Sequence, residues 1–272
     1  MKAIVTAPIC PMLAAPSRES ILADEALYGM VVDILEQPAA GWYRVRTNYR
    51  YEGFVSKENL LPDGEAAALW ETQPRKVVRN KSFCDVLSEP RVQGRILLTL
   101  PRGGIVCTVG QPEDGWQQVR LADGQRGFVP DSILSAHHTT PLSADENVLR
   151  QALVDAAMLY RGTHYRWGGK SPMGIDCSGL VSMAYMLCGI LIYRDADIRE
   201  GFPIRRIPRD AMKPGDLLFF PGHVAMYLGL GRYCHSTAKA GVNGFCVNSL
   251  NPSDESYRED LHKSITQVGT CF

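Results

Sequence analysis

The stretch YRWGGKSPMGIDCSGLV, residues 165–181, decides the fold of the second half of the chain. A glycine-rich loop leads to Cys177, and apolar residues at helical spacing follow it as far as Cys188. Cys177 therefore stands at or near the N-terminus of a helix, where the partial positive charge of the helix favours a thiolate over a thiol. Because the thiolate is the attacking form of cysteine, the pattern predicts a nucleophile.

A nucleophilic cysteine needs a base, and two histidines lie further along the chain. The segment 222–228, GHVAMYL, has the alternation of a strand, and 232–236, RYCHS, follows after a short turn. If the two strands form a hairpin, His223 and His235 are cross-strand neighbours. The spacing therefore predicts a pair in which one histidine orients the other.

An internal repeat fills the first half of the chain. Residues 41–60 read GWYRVRTNYRYEGFVSKENL and residues 115–134 read GWQQVRLADGQRGFVPDSIL, at a constant offset of 74. WYRV and WQQV alternate with the period of half-buried strands, and glycine-rich segments follow them. Several short strands at close spacing predict small barrels, one over 1–63 and one over 74–136, with a linker at 64–73.

The composition changes near residue 137, and a third domain is expected over 143–272. Ser143 and Glu146 have the spacing of a capping box, in which two side chains satisfy free backbone N–H groups of the first helical turn. An apolar stripe from Val148 to Tyr160 follows. We therefore expect this domain to open with a helix capped by Ser143.

Composition and charge exclude several classes of function. Lys and Arg together number 29, as do Asp and Glu, so the net charge is zero and no basic surface for nucleic acid is indicated. No apolar run reaches the roughly 20 residues of a membrane span. Pro8 and Pro11 interrupt the apolar run of a signal peptide, which predicts a cytoplasmic protein, with an extracellular or cell-wall location as the alternative.

The eight cysteines contain no CxxC pair, so no metal site is expected.

Together these motifs resemble the NlpC/p60 family of cell-wall cysteine peptidases. The resemblance rests on YRWGG, DCSGL, a KPGDL turn, GHVAMY and a second histidine, and it covers about 143–272. Two SH3-like domains before such a domain resemble the subgroup of γ-D-glutamyl-L-diamino acid endopeptidases, the dipeptidyl-peptidase VI type. The resemblance implies two small all-β SH3-like barrels followed by an α+β papain-like cysteine peptidase domain.

The same resemblance implies catalytic roles. Cys177 is the expected nucleophile, His223 the general base and His235 the third, orienting residue. Asp176 and Ser178 flank the nucleophile, and backbone N–H groups near it are expected to form an oxyanion hole. No metal ion or organic cofactor is implied.

Further residues are implied in substrate binding. Tyr165 is expected to add a hydroxyl to the oxyanion hole, and Trp167 to form a wall of the cleft. Tyr51 of the first domain and Asp195 are expected to hold the free amine of an N-terminal L-Ala. The subgroup usually has Ser where this chain has Ala196, so one contact to the amine is lost or is replaced, for example by Asp197. A glutamate of the first domain also takes part in the subgroup, and both Glu19 and Glu25 are candidates.

The function expected from these features is hydrolysis of the γ-D-glutamyl–diamino acid bond in cell-wall muropeptides with a free N-terminal L-Ala, during peptidoglycan recycling. The expected partners are peptidoglycan-derived peptides, with no nucleic acid, membrane or protein partner. One alternative is an exported hydrolase of the intact wall. Others are a non-catalytic wall-peptide binding module and an acyltransferase, although the order of cysteine before histidine favours the peptidase.

Overall fold

Two units make up the chain, and each has its own sheets. The computed structural model describes residues 1–272. The first unit covers Met1–His137 and the second covers His138–Phe272. Both sequence repeats lie in the first unit, whereas Cys177 and its candidate histidines lie in the second.

The first repeat forms an antiparallel sheet of seven strands in the order β3-β2-β6-β5-β4-β1-β7. The strands are β1 (Lys2–Val5), β2 (Ile9–Leu13), β3 (Leu22–Leu27), β4 (Val31–Ala39), β5 (Trp42–Thr47), β6 (Glu52–Ser56) and β7 (Leu60–Leu61), with a 3-10 turn at Lys57–Asn59. Helix α1 (Gly64–Thr72) follows, and the Asp63 carboxylate accepts hydrogen bonds from two backbone N–H groups of its first turn.

The second repeat forms a sheet with the equivalent order, β10-β9-β13-β12-β11-β8-β14. Its strands are β8 (Arg75–Val78), β9 (Phe83–Leu87), β10 (Ile96–Pro101), β11 (Ile105–Glu113), β12 (Trp116–Arg120), β13 (Arg126–Pro130) and β14 (Leu134–Ala136), with a 3-10 turn at Asp131–Ile133. Strands β9, β10, β11 and β13 match β2, β3, β4 and β6 at both ends with the offset of 74 residues. The expectation of two small all-β SH3-like domains is confirmed.

Glycine recurs at positions 53 and 127 because a neighbouring strand crosses close to both. A Cβ atom at Gly127 would lie 2.5 Å from Val86 Cγ1, and one at Gly53 would lie 3.2 Å from Met12 Cβ. Val86 and Met12 are themselves related by the offset of 74 residues. The repeat therefore conserves a strand crossing as well as a sequence pattern.

Helix α1 ties the two repeats together within the first unit. Trp70 is buried, and its indole N–H donates a hydrogen bond to the backbone oxygen of Gly29 at 2.9 Å. Around it, Ile4 and Tyr28 of the first repeat share one hydrophobic core with residues of the second, including Val106 and Val119. The two repeats therefore bury apolar surface jointly.

The second unit packs helices against a six-stranded antiparallel sheet of order β17-β22-β18-β19-β20-β21. Its strands are β15 (Lys170–Ser171) and β16 (Gly174–Ile175), which form a separate pair, then β17 (Arg205–Ile207), β18 (Leu217–Phe220), β19 (His223–Gly229), β20 (Arg232–Thr237), β21 (Gly244–Ser249) and β22 (Gln267–Thr270). Its helices are α2 (Glu146–Met158), α3 (Cys177–Met186) and α4 (Glu259–Ser264), with a 3-10 turn at Arg209–Ala211. No helix of the structure has both the length and the apolar composition needed to cross a bilayer.

Helix α2 corrects the expected cap. Asp145, not Ser143, is the N-cap, and its carboxylate accepts hydrogen bonds from the N–H groups of Asn147 and Val148. The Ser143 hydroxyl instead accepts from the backbone N–H of Asp145, so it shapes the turn before the helix. The start of the apolar stripe was also wrong, because Val148 is exposed.

Candidate active site

Helix α3 begins at Cys177, and Asp176 fixes its first turn. The Asp176 carboxylate accepts hydrogen bonds from the backbone N–H of Gly179 within the helix and from that of Gly168 in the preceding loop. It therefore caps the helix and fastens the glycine-rich loop to it. Asp176, which was predicted as a site residue, thus has a structural role next to the nucleophile.

A buried arginine neutralises Asp176. The guanidinium of Arg194 lies 3.1 Å from each carboxylate oxygen of Asp176 and 2.7 Å from the hydroxyl oxygen of Ser178. Only 1% of the Arg194 surface is exposed. Sequence reasoning missed this residue, because it lies in an irregular segment without periodicity and its partners are 16 and 18 positions away.

The Cys177 thiol is buried between helix α3 and strand β19. The backbone N–H groups of Val224 and Ser178 are directed at its sulfur. Burial, and then the nearby Asp176 carboxylate, raise the pKa of Cys177 to about 11, against the opposing effect of the Val224 N–H and of Arg194. Burial thus opposes the effect of the helix terminus and favours the protonated thiol of the resting residue.

Three side chains from three neighbouring strands form a hydrogen-bonded relay next to Cys177. His223 precedes Val224 on β19, and its Nε2 lies 2.7 Å from Nδ1 of His235 on β20. The other ring nitrogen of His235, Nε2, lies 2.8 Å from Oδ1 of Asn248 on β21. Because Met226 pairs with Cys234, the two histidines are diagonal neighbours on one face of the predicted hairpin.

Burial favours the neutral form of both histidines of the relay. Burial lowers the pKa of His223 to about 3, with smaller contributions from His235 and Arg258. Burial likewise lowers the pKa of His235 to about 4, although the hydrogen bond to Asn248 opposes the shift. A neutral imidazole beside a protonated thiol can take the thiol proton during attack, as a general base does.

Sequence reasoning did not find Asn248 or the neighbouring Cys246. The Cys246 sulfur lies 3.1 Å from Nε2 of His235 and 3.5 Å from Oδ1 of Asn248. Strand β21, GFCVNS, alternates weakly and carries no recognisable motif. The one available signal was its position immediately after the hairpin, which places β21 beside β20 if the meander continues.

Tyr165 lies near the nucleophile, whereas Trp167 is on the surface. Burial, followed by the proximity of Cys177 and Asp176, raises the pKa of Tyr165 to about 12. Its hydroxyl therefore stays protonated and able to donate a hydrogen bond. Trp167 is 66% exposed on the glycine-rich loop, so it has free ring surface to offer a ligand.

Asp195 lines a cavity that also reaches helix α3, which begins at Cys177, and strand β19. The cavity is lined in part by Val181, Asp195 and Val224, and Asp195 itself is exposed. Asp197, the suggested replacement for a missing serine contact, pairs with the guanidinium of Arg199 at 3.1 Å. Of the two carboxylates, Asp197 is therefore the one paired with an arginine, whereas Asp195 interacts with the Tyr193 hydroxyl.

The predicted residues of the first unit lie on two of its loops and one strand. Tyr51 follows Arg50, whose φ is 60°, in the turn between β5 and β6, and its N–H donates to the Thr47 hydroxyl. Glu19 is exposed and accepts from the Ser17 hydroxyl, whereas Glu25 is buried in β3. The part of Tyr51 and of either glutamate in substrate binding stays a prediction.

Comparison with known proteins places the chain in a family. Residues 162–265 match the model of the NlpC/P60 family, and residues 12–60 match the bacterial dipeptidyl-peptidase SH3 domain. The whole chain is 44% identical to dipeptidyl-peptidase 6 of Lysinibacillus sphaericus, with 100% of both chains covered. The chain belongs to the NlpC/P60 family. It is an enzyme, a hydrolase with peptidase activity.

Other NlpC/P60 proteins match over different lengths. The γ-D-glutamyl-L-lysine dipeptidyl-peptidase of Bacillus subtilis is 30% identical over 170 residues, which cover 59% of this chain and 51% of that protein. The crystal structure of an NlpC/P60 protein from Bacillus cereus has a TM-score of 0.80 and covers 98% of both chains. Its sequence identity of 20% makes this a likeness of fold. The expected fold class is confirmed for both units.

Proposed function

We propose that the chain is a cysteine endopeptidase that hydrolyses the γ-D-glutamyl–diamino acid bond of peptidoglycan-derived peptides with a free N-terminal L-Ala. The observation that carries the proposal is the placement of the Cys177 sulfur at the Val224 N–H, one residue from the His223–His235 pair. Similarity over the whole chain to a dipeptidyl-peptidase 6 supports the substrate class.

The first half of the reaction forms a thioester. Nδ1 of His223, the ring nitrogen not engaged by His235, takes the thiol proton as the Cys177 sulfur bonds to the γ-carbonyl carbon. The negative charge that develops on the carbonyl oxygen is stabilised by backbone N–H groups at the start of α3 and by the Tyr165 hydroxyl. Protonated His223 then gives its proton to the amine of the diamino acid, the carbon–nitrogen bond breaks, and that amine leaves.

The second half of the reaction frees the dipeptide. His223 accepts a proton from water as the water oxygen attacks the thioester carbon, and the carbon–sulfur bond breaks. The sulfur takes the proton back, which restores the neutral thiol and imidazole of the resting site. The products are L-Ala-D-Glu and a peptide or amino acid that begins with the diamino acid.

Asp195 is the proposed partner of the substrate ammonium group. Its carboxylate lines the cavity that reaches Val224, so an ammonium can pair with it. Ala196 supplies no hydroxyl at the next position, and Asp197 is already engaged by Arg199. We therefore assign amine recognition in this unit to Asp195.

The proposed substrate also indicates where the enzyme acts. In an intact wall the nitrogen of this L-Ala is acylated, so a free amine marks a fragment that has already been released by an amidase-type reaction. A requirement for a free ammonium therefore excludes the intact wall as substrate. We propose that the chain acts on such fragments in the cytoplasm, as part of recycling.

The experiment that tests the proposal compares two peptides and two enzymes. L-Ala-γ-D-Glu-meso-diaminopimelate and its N-acetylated copy are incubated with wild type and with Cys177→Ala, and products are identified by mass spectrometry. We expect L-Ala-D-Glu from the free-amine peptide with wild type only. Cleavage of both peptides would retain the peptidase and reject the amine requirement, and cleavage of neither would reject the proposed substrate. Intact sacculi serve as the third substrate and are expected to stay uncut.

A further inference from the structure

The relay ends at an amide whose orientation is fixed by the backbone. Asn248 Nδ2 lies 2.8 Å from the backbone oxygen of Ser256, and Asn248 Oδ1 lies 2.8 Å from Nε2 of His235. Ser256 is itself held in place, since its N–H and hydroxyl both donate to Asp254 Oδ1, at 2.8 and 2.7 Å. The carbonyl that faces Asn248 is therefore part of an ordered turn.

This contact determines which atoms of the relay carry protons. A backbone carbonyl only accepts hydrogen bonds, so the group of Asn248 that faces Ser256 must be its NH₂. The amide oxygen then faces His235 and accepts, which assigns a proton to Nε2 of that ring. In the neutral ring Nδ1 is then a bare acceptor, so Nε2 of His223 must donate to it.

We infer that Asn248 is a positioning residue: it holds the proton of His235 on Nε2 and thereby leaves Nδ1 of His223 unprotonated and able to take the thiol proton. The opposite tautomer of His235 would present an N–H to His223 and force the proton of that ring onto Nδ1, where it would block proton transfer from Cys177. The catalytic meaning of the inference rests on the proposed function, whereas the proton positions belong to the resting protein.

Cys246 provides the matched control for Asn248. Its sulfur lies 3.1 Å from the same ring nitrogen, so it is the competing acceptor for the His235 proton. Sulfur is a weak acceptor compared with an amide oxygen, and the thiol can itself donate to Asn248 Oδ1 at 3.5 Å. Geometry and acceptor strength both assign the role to Asn248.

The test reads the tautomer directly. Long-range ¹H–¹⁵N spectra of the imidazole rings at neutral pH are recorded for wild type, Asn248→Ala and Cys246→Ala, with His235 assigned from a His235→Gln variant. We expect wild-type His235 to be protonated on Nε2, Cys246→Ala to keep that state, and Asn248→Ala to mix the two tautomers. With the free-amine peptide, Asn248→Ala is expected to lower kcat roughly 10- to 100-fold with little change in KM, because the residue orients catalytic groups without touching substrate.

Three results would overturn the inference. The first is wild-type His235 protonated on Nδ1, and the second is an Asn248→Ala spectrum identical to that of wild type. The third is a His235 proton that leaves Nε2 in Cys246→Ala but remains there in Asn248→Ala. The wild-type spectrum decides the first point even if Asn248→Ala does not fold. An Nε2-protonated His235 in a protein that cleaves no muropeptide would reject the proposed function and leave the assignment of the proton standing.

Discussion

Arg194 bonds both carboxylate oxygens of Asp176, the residue that caps the helix carrying Cys177. This ion pair lies in the interior next to the nucleophile, and Arg194 also directly precedes Asp195 in the chain. One buried side chain therefore anchors the start of the catalytic helix and the segment proposed to bind the substrate ammonium.

Removing Arg194 is expected to destabilise the second unit strongly. Arg194→Met leaves the Asp176 carboxylate buried without its cation, which costs about 3–5 kcal/mol of unfolding free energy. The measurement is urea unfolding at neutral pH. Arg199→Met, which removes the exposed pair with Asp197 in the same segment, is the matched control and is expected to cost at most about 1 kcal/mol. Equal losses in the two variants would contradict the structural role of the buried pair.

The alkylation rate of Cys177 is expected to rise continuously from neutral pH toward pH 11. The pKa of the thiol is raised to about 11 by burial and by Asp176, and only the thiolate reacts. The rate is measured with iodoacetamide, and modification at Cys177 is followed by peptide mass spectrometry, with Cys246 as the internal comparison. A reactive plateau below neutral pH would instead reveal a resting thiolate–imidazolium pair and refute the neutral site.

The second unit is expected to lose stability as the pH falls from about 6.5 toward 4. The pKa values of His223 and His235 are lowered to about 3 and 4 by burial. In this window the unfolded chain binds protons that the folded chain does not, so acid favours unfolding, by up to about 1.4 kcal/mol per pH unit for each histidine.

The His235→Asn variant isolates that effect. Its unfolding free energy, measured with urea at several pH values, is expected to fall less steeply than that of wild type between pH 6.5 and 4. Carboxylates titrate alike in both proteins, so the difference in slope belongs to the histidine relay. Parallel curves would show that His235 is not held neutral by the fold.

The two aspartates of the 195–197 segment are expected to differ in their effect on activity. Asp195→Asn removes the charge that pairs with the substrate ammonium and is expected to lower kcat/KM for the free-amine peptide about 10- to 100-fold. Asp197→Asn is expected to stay near wild type, because that carboxylate is engaged by Arg199. The measurement is steady-state kinetics with L-Ala-γ-D-Glu-meso-diaminopimelate, and a larger loss in Asp197→Asn would transfer the role to Asp197.

Features with a local signature could be predicted from the sequence. The offset of 74 residues predicted matching strands because each repeat carries its own alternation and its own glycine at a strand crossing. The contact between His223 and His235 could be predicted because a tight turn between two alternating segments restricts the register. In both cases the residues that carry the signal lie close together along the chain.

Features that depend on distant partners could not be predicted in this way. Arg194 meets Asp176 only after the segment between them folds back, and Asn248 meets Ser256 across a turn without a motif. The protonation of Cys177 depends on how deeply the sheet buries it, which the helix-terminus argument does not include. The prediction of the α2 cap was wrong for a related reason. Ser143 and Asp145 are both residue types that cap helices well, and only the path of the backbone determines which of them does so.

The burial of Cys177 also protects the enzyme from chemical damage. Peroxides and electrophilic compounds react with thiolates far faster than with thiols. Cys177 is only 7% exposed, and its burial favours the protonated thiol, so such compounds meet a group that is both poorly accessible and weakly reactive. The sulfur becomes nucleophilic only while His223 is taking its proton toward a bound carbonyl group. Covalent inhibitors of this site therefore need to resemble the peptide that brings the carbonyl group to the sulfur. A reactive electrophile without such a peptide is expected to react slowly, because it encounters a buried thiol.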